Sequence, residues 1–236
     1  MARPYIVAID GPAGAGKSSA SRLLAARLGF ALVDTGAIYR TVALAASRQG
    51  IGFDDDLRLG TLLPELQIRF SPPAVAGEGP QVLLGGEDVS VSIRTPAMSL
   101  GASAVSARPV VRAGLLELQR RLALAPENRG AVLEGRDIGT VVFPDADLKV
   151  FLTADGRQRA LRRFAELQQK GDPSTLEQVE EDQRRRDKND SERALAPLRP
   201  AEDARVLDTS GLDLAAVVEL LAREVEARLA AGGSTR

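Results

Sequence analysis

The chain has 236 residues, of which 44% are hydrophobic and 27% are charged, and its formal net charge at pH 7 is −1. It contains no Cys and no His, which excludes disulfides, thiolate nucleophiles, Cys- or His-ligated metals and catalytic triads built on imidazole. Its chemistry must therefore use carboxylates, hydroxyls, Lys, Arg, backbone amides and metals bound through oxygen.

The charge balance also bears on partners and location. Thirty-one basic residues against 32 acidic ones, with 3% aromatics and no Trp, argue against a nucleic-acid-binding surface. The apolar run near the N-terminus is too short for a signal peptide, and no segment approaches the roughly 20 apolar residues of a membrane span. We expect a cytoplasmic monomer that binds neither nucleic acid nor membranes.

Short aliphatic runs that alternate with helical patterns predict a doubly wound α/β domain. Apolar residues three or four apart predict helices at Ser18–Leu28, at Pro109–Ala125 and at 214–225, the last with Asp213 as its N-cap. The aliphatic runs are typical of strands buried on both faces of a parallel sheet, and they are Tyr5–Asp10, Ala31–Val33, Ala131–Glu134, Leu148–Thr153 and Arg205–Asp208.

Two stretches interrupt this alternation. Between 65 and 91, turns rich in Pro and Gly, including Pro72-Pro73 and Gly77, predict a small antiparallel insert with strands at Leu66–Ser71, Gln81–Leu84 and Asp88–Val91. Between 156 and 187, the pattern predicts two charged helices joined by Gly171-Asp172-Pro173. The sequence Ser174-Thr-Leu-Glu177 has the spacing of a capping box for the second of these helices.

The strongest functional signal is Gly11-Pro-Ala-Gly-Ala-Gly-Lys17-Ser18, which is the G-x-x-x-x-G-K-S pattern of a phosphate-binding loop. It lies between a predicted strand and a predicted helix, as that motif requires. Backbone N–H groups of such a loop point into one hollow, while the lysine reaches the β- and γ-phosphates and the serine ligates magnesium. The residues predicted to bind ATP are Gly11, Pro12, Ala13, Gly14, Ala15, Gly16, Lys17, Ser18 and Ser19, with Ser18 as the magnesium ligand.

The loop indicates a nucleoside triphosphate but leaves three classes of protein open. A guanine-specific GTPase would need an N-K-x-D motif, which the sequence lacks. A motor or transporter ATPase would need an acidic Walker B strand, for which Val132-Leu133-Glu134 is the nearest candidate. A small-molecule kinase would need a second anion pocket and an Arg-bearing lid that keeps water away from ATP.

Two further motifs are candidates for that second pocket. Asp34-Thr-Gly-Ala-Ile-Tyr-Arg40 follows the second predicted strand, and Gly135-Arg-Asp-Ile-Gly-Thr140 follows the third. Because ligands bind at the carboxyl ends of the strands in an open parallel sheet, both motifs should lie beside the phosphate-binding loop.

Four segments carry a family resemblance: Ile9–Ser18, Asp34–Arg40, Gly135–Asp145 and Arg193-Ala-Leu-Ala-Pro-Leu198. They resemble the motifs of the bacterial cytidylate kinases, within the nucleoside monophosphate kinase superfamily. The resemblance extends from residue 5 to about 210, and the insert at 65–91 matches that family's enlarged monophosphate-binding region. It implies an α/β P-loop NTPase fold with a five-stranded parallel sheet flanked by helices, a small antiparallel β insert and a helical lid.

The same resemblance implies an activity and a division of the chain. The activity is transfer of the γ-phosphoryl group of ATP to CMP or dCMP with magnesium, in pyrimidine nucleotide metabolism. Residues 1–236 would form one kinase domain, with a core (about 1–34, 116–154 and 191–230), a monophosphate-binding region (about 35–115) and a lid (about 155–190). The alternatives are a P-loop kinase of another nucleoside monophosphate or small metabolite, or a non-kinase regulatory NTPase.

The resemblance also implies a role for each matching residue. Lys17, Arg136 and Arg193 would be catalytic because they neutralise charge during the transfer. Thr35 stands where the family commonly has Ser and keeps the hydroxyl. The acceptor would be bound through its phosphate by Arg40, Arg136 and Arg193, through its base by Ser103, Arg112 and Asp137, and through its ribose by Asp190 and Arg186.

The remaining arginines near the predicted lid divide into two groups. Arg159 and Arg163 would contact ATP from the lid. Arg162, Arg184 and Arg185 are interpreted as solvated surface residues, as befits a chain rich in Arg. Outside the lid, Asp34 is expected to cap the helix that follows it, and Tyr39 to serve packing.

Overall fold

The structure is a computed structural model that describes residues 3–71, 79–169 and 171–233. Five strands form a parallel sheet in the order β2-β6-β1-β7-β8, and three form an antiparallel sheet in the order β3-β4-β5. The strands are β1 (Tyr5–Asp10), β2 (Ala31–Asp34), β3 (Ile68–Ser71), β4 (Gln81–Leu84), β5 (Glu87–Asp88), β6 (Gly130–Gly135), β7 (Leu148–Thr153) and β8 (Arg205–Asp208).

Helices cover both faces of the parallel sheet, which confirms the predicted α/β class. They are α1 (Lys17–Leu28), α2 (Thr35–Arg48), α3 (Asp56–Leu62), α4 (Pro96–Ser106), α5 (Pro109–Ala123), α6 (Gly156–Gln169), α7 (Leu176–Glu192) and α8 (Leu214–Gly233), with a π-helical turn at Ile138–Val142. Among the described residues, no helix combines the length and apolar character needed to cross a bilayer.

Alternate residues of β1 belong to the two apolar clusters on opposite faces of the parallel sheet. Val7 and Ile9 pack with Leu24 of α1 and with α8 on one face of the sheet. Ile6 and Ala8 pack on the opposite face, with side chains of β6 and α5. All four β1 residues are fully buried, which explains why this strand is a continuous apolar run and does not alternate with polar residues.

The predicted insert is present, but its third strand is shorter than expected. Asp88–Val91 was the predicted segment, whereas β5 ends at Asp88. The Ser90 Oγ accepts the Val82 N–H at 2.8 Å, and the Asp88 carboxylate accepts the Ser90 N–H at 2.9 Å. These side-chain bonds replace part of the backbone ladder, so the strand stops early. The predicted turn residues Pro72, Pro73 and Gly77 lie outside the described residues.

Helices α6 and α7 form the predicted charged pair, with one correction at the N-terminus of α7. The capping box uses Thr175 and Gln178 in place of Ser174 and Glu177: the Thr175 Oγ1 accepts the Gln178 N–H, and the Gln178 Oε1 accepts the Thr175 N–H. Ser174 is not available, because it hydrogen-bonds to Asp172 in the preceding turn. The two helices pack on a small apolar cluster of their own.

Strand register brings the three predicted motifs together. Asp10 at the end of β1 pairs with Gly135 of β6, and Asp34 at the end of β2 pairs with Glu134 of β6. The phosphate-binding loop, the start of α2 and the loop after β6 therefore leave the sheet side by side at its carboxyl edge. This is the edge at which open parallel sheets bind their ligands.

Gly130, at the start of β6, tests how tightly the sheet packs against its flanking residues. A Cβ added there would lie 2.6 Å from the Phe30 ring. We expect Gly130→Ala to lower the free energy of unfolding by about 1–3 kcal/mol through overpacking. Urea denaturation followed by circular dichroism measures this change. Gly211→Ala is the matched control, because a Cβ there meets nothing within 4 Å, and an equal loss in both variants would contradict the packing argument.

Candidate active site

The phosphate-binding loop has a backbone that requires glycine at two close contacts. Gly11 has φ +145°, and a Cβ there would lie 2.0 Å from the Leu152 carbonyl oxygen of β7. Gly14 has φ +75°, and a Cβ there would lie 2.8 Å from the carbonyl oxygen of Arg159 in α6. The loop therefore curls in a space bounded by the backbone of two other elements, where a side chain would not fit.

Lys17 reaches back across the loop that precedes it. It is buried, and its Nζ donates to the Pro12 carbonyl at 2.7 Å. Burial and the nearby Arg136 guanidinium lower the pKa of Lys17 well below its ordinary value, although Glu134 and Asp10 act in the opposite direction. An anion in the hollow would stabilise the charged form of this lysine.

Ser18, the predicted magnesium ligand, has an acidic partner, Glu134, whose place in the site the motifs do not predict. Its hydroxyl donates to the Glu134 Oε2 at 2.8 Å. Burial, and then the negative charge of Asp34, raise the pKa of Glu134. A hydroxyl and a carboxylate side by side are hard oxygen ligands that suit magnesium together with phosphate oxygens. The sequence pattern that could have identified Glu134 is an acidic residue at the end of an apolar predicted strand.

Asp10 is a second buried acid that sequence analysis did not single out. Its two carboxylate oxygens accept the backbone N–H groups of Ile138 and Gly139, each at 2.8 Å. This pair of bonds ties the strand that leads into the phosphate-binding loop to the loop that carries Arg136 and Asp137. Burial raises the pKa of Asp10 to about 6.

Asp34 and Arg40 link β2 to the first turns of α2. Asp34 caps the helix as expected, since its Oδ1 accepts the Ala37 N–H at 2.8 Å. Its Oδ2 accepts a hydrogen bond from Arg40 Nη2 at 2.9 Å. The Arg40 Nε is buried and has no partner within the described residues, so it is available to an incoming acceptor atom. The Thr35 hydroxyl, by contrast, donates to the Glu134 carbonyl at 2.7 Å.

Asp190 of α7 joins two predicted acceptor-binding residues. Its Oδ2 accepts from Arg136 Nε at 2.8 Å, and its Oδ1 accepts from the Ser103 hydroxyl at 3.4 Å. Burial acts to raise the pKa of Asp190, but the neighbouring arginines, Arg136 first, lower it overall. Ser103, which was grouped with the base-reading residues, therefore lies against the residue expected to bind the ribose.

Asp137 lies between two arginines. Its carboxylate accepts hydrogen bonds from Arg112 Nη2 and, at 3.4 Å, from Arg193 Nη2. The Arg112 guanidinium also lies over the ring of Tyr39, 6.0 Å from its centroid. Tyr39 therefore packs against the arginine that bonds to Asp137. Burial raises the pKa of Asp137, although Arg112 and Arg193 oppose that shift.

Arg186 is a further, partly buried cation of the site. Its Nε is buried and has no partner within the described residues. Burial, and then repulsion from Arg136, lower the pKa of Arg186 to about 10. Its unpartnered Nε is a donor for an oxygen of a ligand.

One cleft of about 1470 Å³ connects the phosphate-binding loop to these acidic and basic residues. The structure places Gly11, Pro12 and Arg159 outside its lining. The predicted site residues that line it are Ala13, Gly14, Ala15, Gly16, Lys17, Ser18, Ser19, Thr35, Arg40, Ser103, Arg112, Arg136, Asp137, Arg163, Arg186, Asp190 and Arg193.

The arginines of the charged helices differ in their surroundings. Arg184 and Arg185 are exposed and pair with acids three residues earlier, as expected of a solvated face. Arg163 lines the cleft and pairs with Glu166. The prediction that Arg162 is a surface residue is wrong, because its guanidinium donates to the hydroxyl and the carbonyl of Thr209, at 3.1 and 2.7 Å.

A phosphate-binding loop and a separate arginine pocket that open on one cleft define a P-loop kinase, the class of enzyme that brings a nucleoside triphosphate to a second phosphate-binding site. Residues 7–227 match the cytidylate kinase family, and the chain belongs to that family.

Curated relatives agree with this assignment over nearly the full length of the chain. The cytidylate kinase of Geobacter sp. (strain M21) is 51% identical over 227 residues, which cover 96% of this chain and 95% of that protein. The cytidylate kinase of Pseudomonas aeruginosa is 46% identical over 221 residues, which cover 94% and 95% of the two chains.

A solved structure of an uncharacterized protein from Eubacterium ventriosum aligns with 95% of this chain and 99% of its own, with a TM-score of 0.51. At 12% identity this likeness concerns the fold alone.

Asp10 predicts a specific dependence of stability on pH. Its pKa rises from 3.8 to about 6 in the folded protein, so the folded state holds the proton more tightly than the unfolded chain does. The resulting stabilisation is full below pH 3.8 and is lost as the pH rises through 6. Between pH 4 and pH 7 we expect the wild type to lose about 1–3 kcal/mol more unfolding free energy than Asp10→Asn.

Chemical denaturation at each pH measures that difference. Asp147→Asn is the control for loss of a carboxylate that accepts a backbone N–H, since Asp147 accepts the Ile6 N–H at the opposite edge of the sheet. Parallel pH profiles for wild type and Asp10→Asn would contradict the shift.

Proposed function

We propose that this chain transfers the γ-phosphoryl group of ATP to CMP or dCMP, which gives ADP and CDP or dCDP. The observation that carries the proposal is the group of arginines that line the same cleft as the phosphate-binding loop, namely Arg40, Arg136 and Arg193. An acceptor without a phosphate would not need such a pocket, and a regulatory NTPase would not need an acceptor site.

On the donor side, ATP would place its phosphates in the hollow of the loop. Lys17 supplies a buried positive charge there, and the N-terminus of α1 adds the partial positive charge of its free N–H groups. Ser18 and Glu134 are the residues that would hold magnesium, which neutralises charge on the phosphates when it is bound. No group of three acidic side chains in the described part of the chain could hold a metal unaided, which suits an ion bound largely through phosphate.

On the acceptor side, the arginines would bind the monophosphate in exchange for their present partners. Arg136 pairs with Asp190, and Arg40 pairs with Asp34, so each guanidinium is oriented before the substrate arrives. Three guanidiniums that converge on one phosphate form charge-assisted forks and fix its oxygen for in-line attack. Asp190 and Arg186 would then bind the ribose hydroxyls.

Base recognition would fall to Asp137 and Arg112, with Ser103 close by. Cytosine offers an N4 amino donor beside the acceptors N3 and O2. A carboxylate can accept from N4 while an arginine donates to the other two atoms. Uracil has an oxygen in place of the amino group, which would set acceptor against acceptor and leave buried groups unpaired.

The chemical step needs no protein nucleophile. An oxygen of the acceptor phosphate attacks the γ-phosphorus, the bond from that phosphorus to the β,γ-bridging oxygen breaks, and ADP leaves with the electron pair. Catalysis is then alignment together with neutralisation of charge by Lys17, Arg136 and Arg193. Helices α6 and α7 would serve as the lid over ATP, with Arg163 on the side that faces the cleft. Residues of about 35–115 would form the monophosphate-binding region.

Coupled measurement of ADP formation with CMP, dCMP, UMP and AMP tests the proposal. We expect CMP and dCMP to be the preferred acceptors and hydrolysis without an acceptor to be slow. ATP hydrolysis that no monophosphate stimulates would favour the regulatory NTPase, and preference for another monophosphate would favour a kinase of that nucleotide.

Lys17→Ala tests the donor site. Loss of the buried charge that faces the transferred phosphoryl group should lower kcat by about 100- to 1000-fold. Lys188→Ala provides the control, because Lys188 is exposed on α7 and lies outside the cleft. Near-normal turnover by Lys17→Ala would overturn the assignment of the loop.

Asp137→Ala tests base recognition. We expect the ratio of kcat/KM for CMP to that for UMP to fall by about tenfold or more, because the group that accepts from N4 is gone. Asp145→Asn, an exposed change in the same motif, should leave the ratio unaltered. If the ratio survives in Asp137→Ala while thermal stability is retained, another residue reads the base.

A further inference from the structure

The outer side of the phosphate-binding loop is held by side chains from distant elements. The Arg159 Nη1 of α6 donates to the Ala13 carbonyl at 2.9 Å. The Thr209 hydroxyl lies 3.3 Å from the Ala15 carbonyl and 3.1 Å from the Thr153 carbonyl, so its single proton is shared between them. Lys17 donates to the Pro12 carbonyl, so the carbonyls of Pro12, Ala13 and Ala15 all accept hydrogen bonds from side chains.

The planarity of the peptide bond gives these contacts a consequence for the inner side of the loop. In a trans peptide the C=O and the following N–H point in opposite directions. The Ala13 carbonyl shares its peptide unit with the Gly14 N–H, and the Ala15 carbonyl shares its unit with the Gly16 N–H. Within the described residues, the N–H groups of Gly14 and Gly16 donate no hydrogen bond to the protein. They are therefore free for a ligand.

Arg159 is itself fixed from two further sides. Its Nε donates to the Ala154 carbonyl at 3.0 Å, and its Nη1 also donates to the Asp187 carboxylate of α7 at 2.6 Å. Its side chain is only 11% exposed and lies outside the cleft lining. These bonds engage the Nε and Nη1 of Arg159 and direct both groups toward the protein backbone and Asp187.

We infer that Arg159 is a positioning residue for the donor phosphates, with Thr209 as a weaker second brace that Arg162 holds in place. Its guanidinium fixes the 13–14 peptide with the Gly14 N–H turned toward the hollow, and polarises that peptide so that the N–H is a stronger donor. The loop is thus shaped for polyphosphate before any ligand binds, which reduces the ordering cost of binding. This inference rests on the proposed function and departs from the expectation that Arg159 touches ATP.

Calorimetry with two probes tests the inference. Arg159→Met should raise the dissociation constants of magnesium-ATP and of inorganic tripolyphosphate by the same factor, about tenfold, because the effect acts on phosphate alone. The dissociation constant of CMP should be unchanged. Arg157→Met, an exposed change on the same helix two residues earlier, is the matched control and should alter neither probe.

The Gly14 amide resonance provides a readout that needs no ligand. In nucleotide-free protein it should move in Arg159→Met and stay in place in Arg157→Met, since the carbonyl of its peptide loses a charged donor. Asp187→Asn removes the negative charge that pairs with Arg159, and it should weaken the binding of both probes by a smaller factor. It replaces Arg159→Met as the test variant if that protein does not fold.

Three results would overturn the inference. They are weaker binding of ATP but not of tripolyphosphate, weaker binding without movement of the Gly14 resonance, and unchanged binding in both Arg159→Met and Asp187→Asn. The first two would mean that Arg159 contacts the nucleoside or the phosphates directly. A wild-type protein that binds ATP but does not phosphorylate CMP would instead contradict the proposed function, and would leave the effect of Arg159 on the loop measurable.

Discussion

Several cations lie close together in the cleft of this protein, and the charge of Arg136 acts on two of them. Repulsion from Arg136 adds to burial in lowering the pKa of Lys17 and of Arg186. Carboxylates at positions 34, 137 and 190 pair with arginines of the cleft. An anion bound beside Arg136 would reduce the repulsion between these cations.

The two halves of the site are held in one frame by the parallel sheet. β6 lies between β1 and β2, and all three strands end at the same edge. Asp10 adds a direct bond between the halves, because its carboxylate at the end of β1 accepts two N–H groups from the loop that carries Arg136 and Asp137. The sheet and this pair of buried hydrogen bonds therefore fix the phosphate-binding loop relative to the loop of Arg136 and Asp137, which suits a reaction that depends on alignment.

Arginines in this chain have three different structural roles, and the residue type alone does not show which role a given arginine has. Arg184 pairs with an acid on an exposed helix face, and Arg193 lies in the cleft against Asp137. Arg162 and Arg159 support the backbone around the phosphate-binding loop. All four belong to one charged stretch of sequence, and what distinguishes them is the carbonyl or carboxylate within reach in the folded chain.

The sequence by itself determined the features whose cause is local. Apolar runs predicted the five core strands, and the glycines, Lys17 and Ser18 predicted the phosphate-binding loop, because backbone curvature and side-chain periodicity are set by neighbours along the chain. Only the tertiary structure decided that Glu134 meets Ser18 across 116 positions, that Asp10 holds a loop 128 positions away, and that Arg159 lies behind the loop, 146 positions from Ala13. Partners so far apart leave no periodic or spacing signal, since the strand order and register that bring them together arise from packing of the whole sheet.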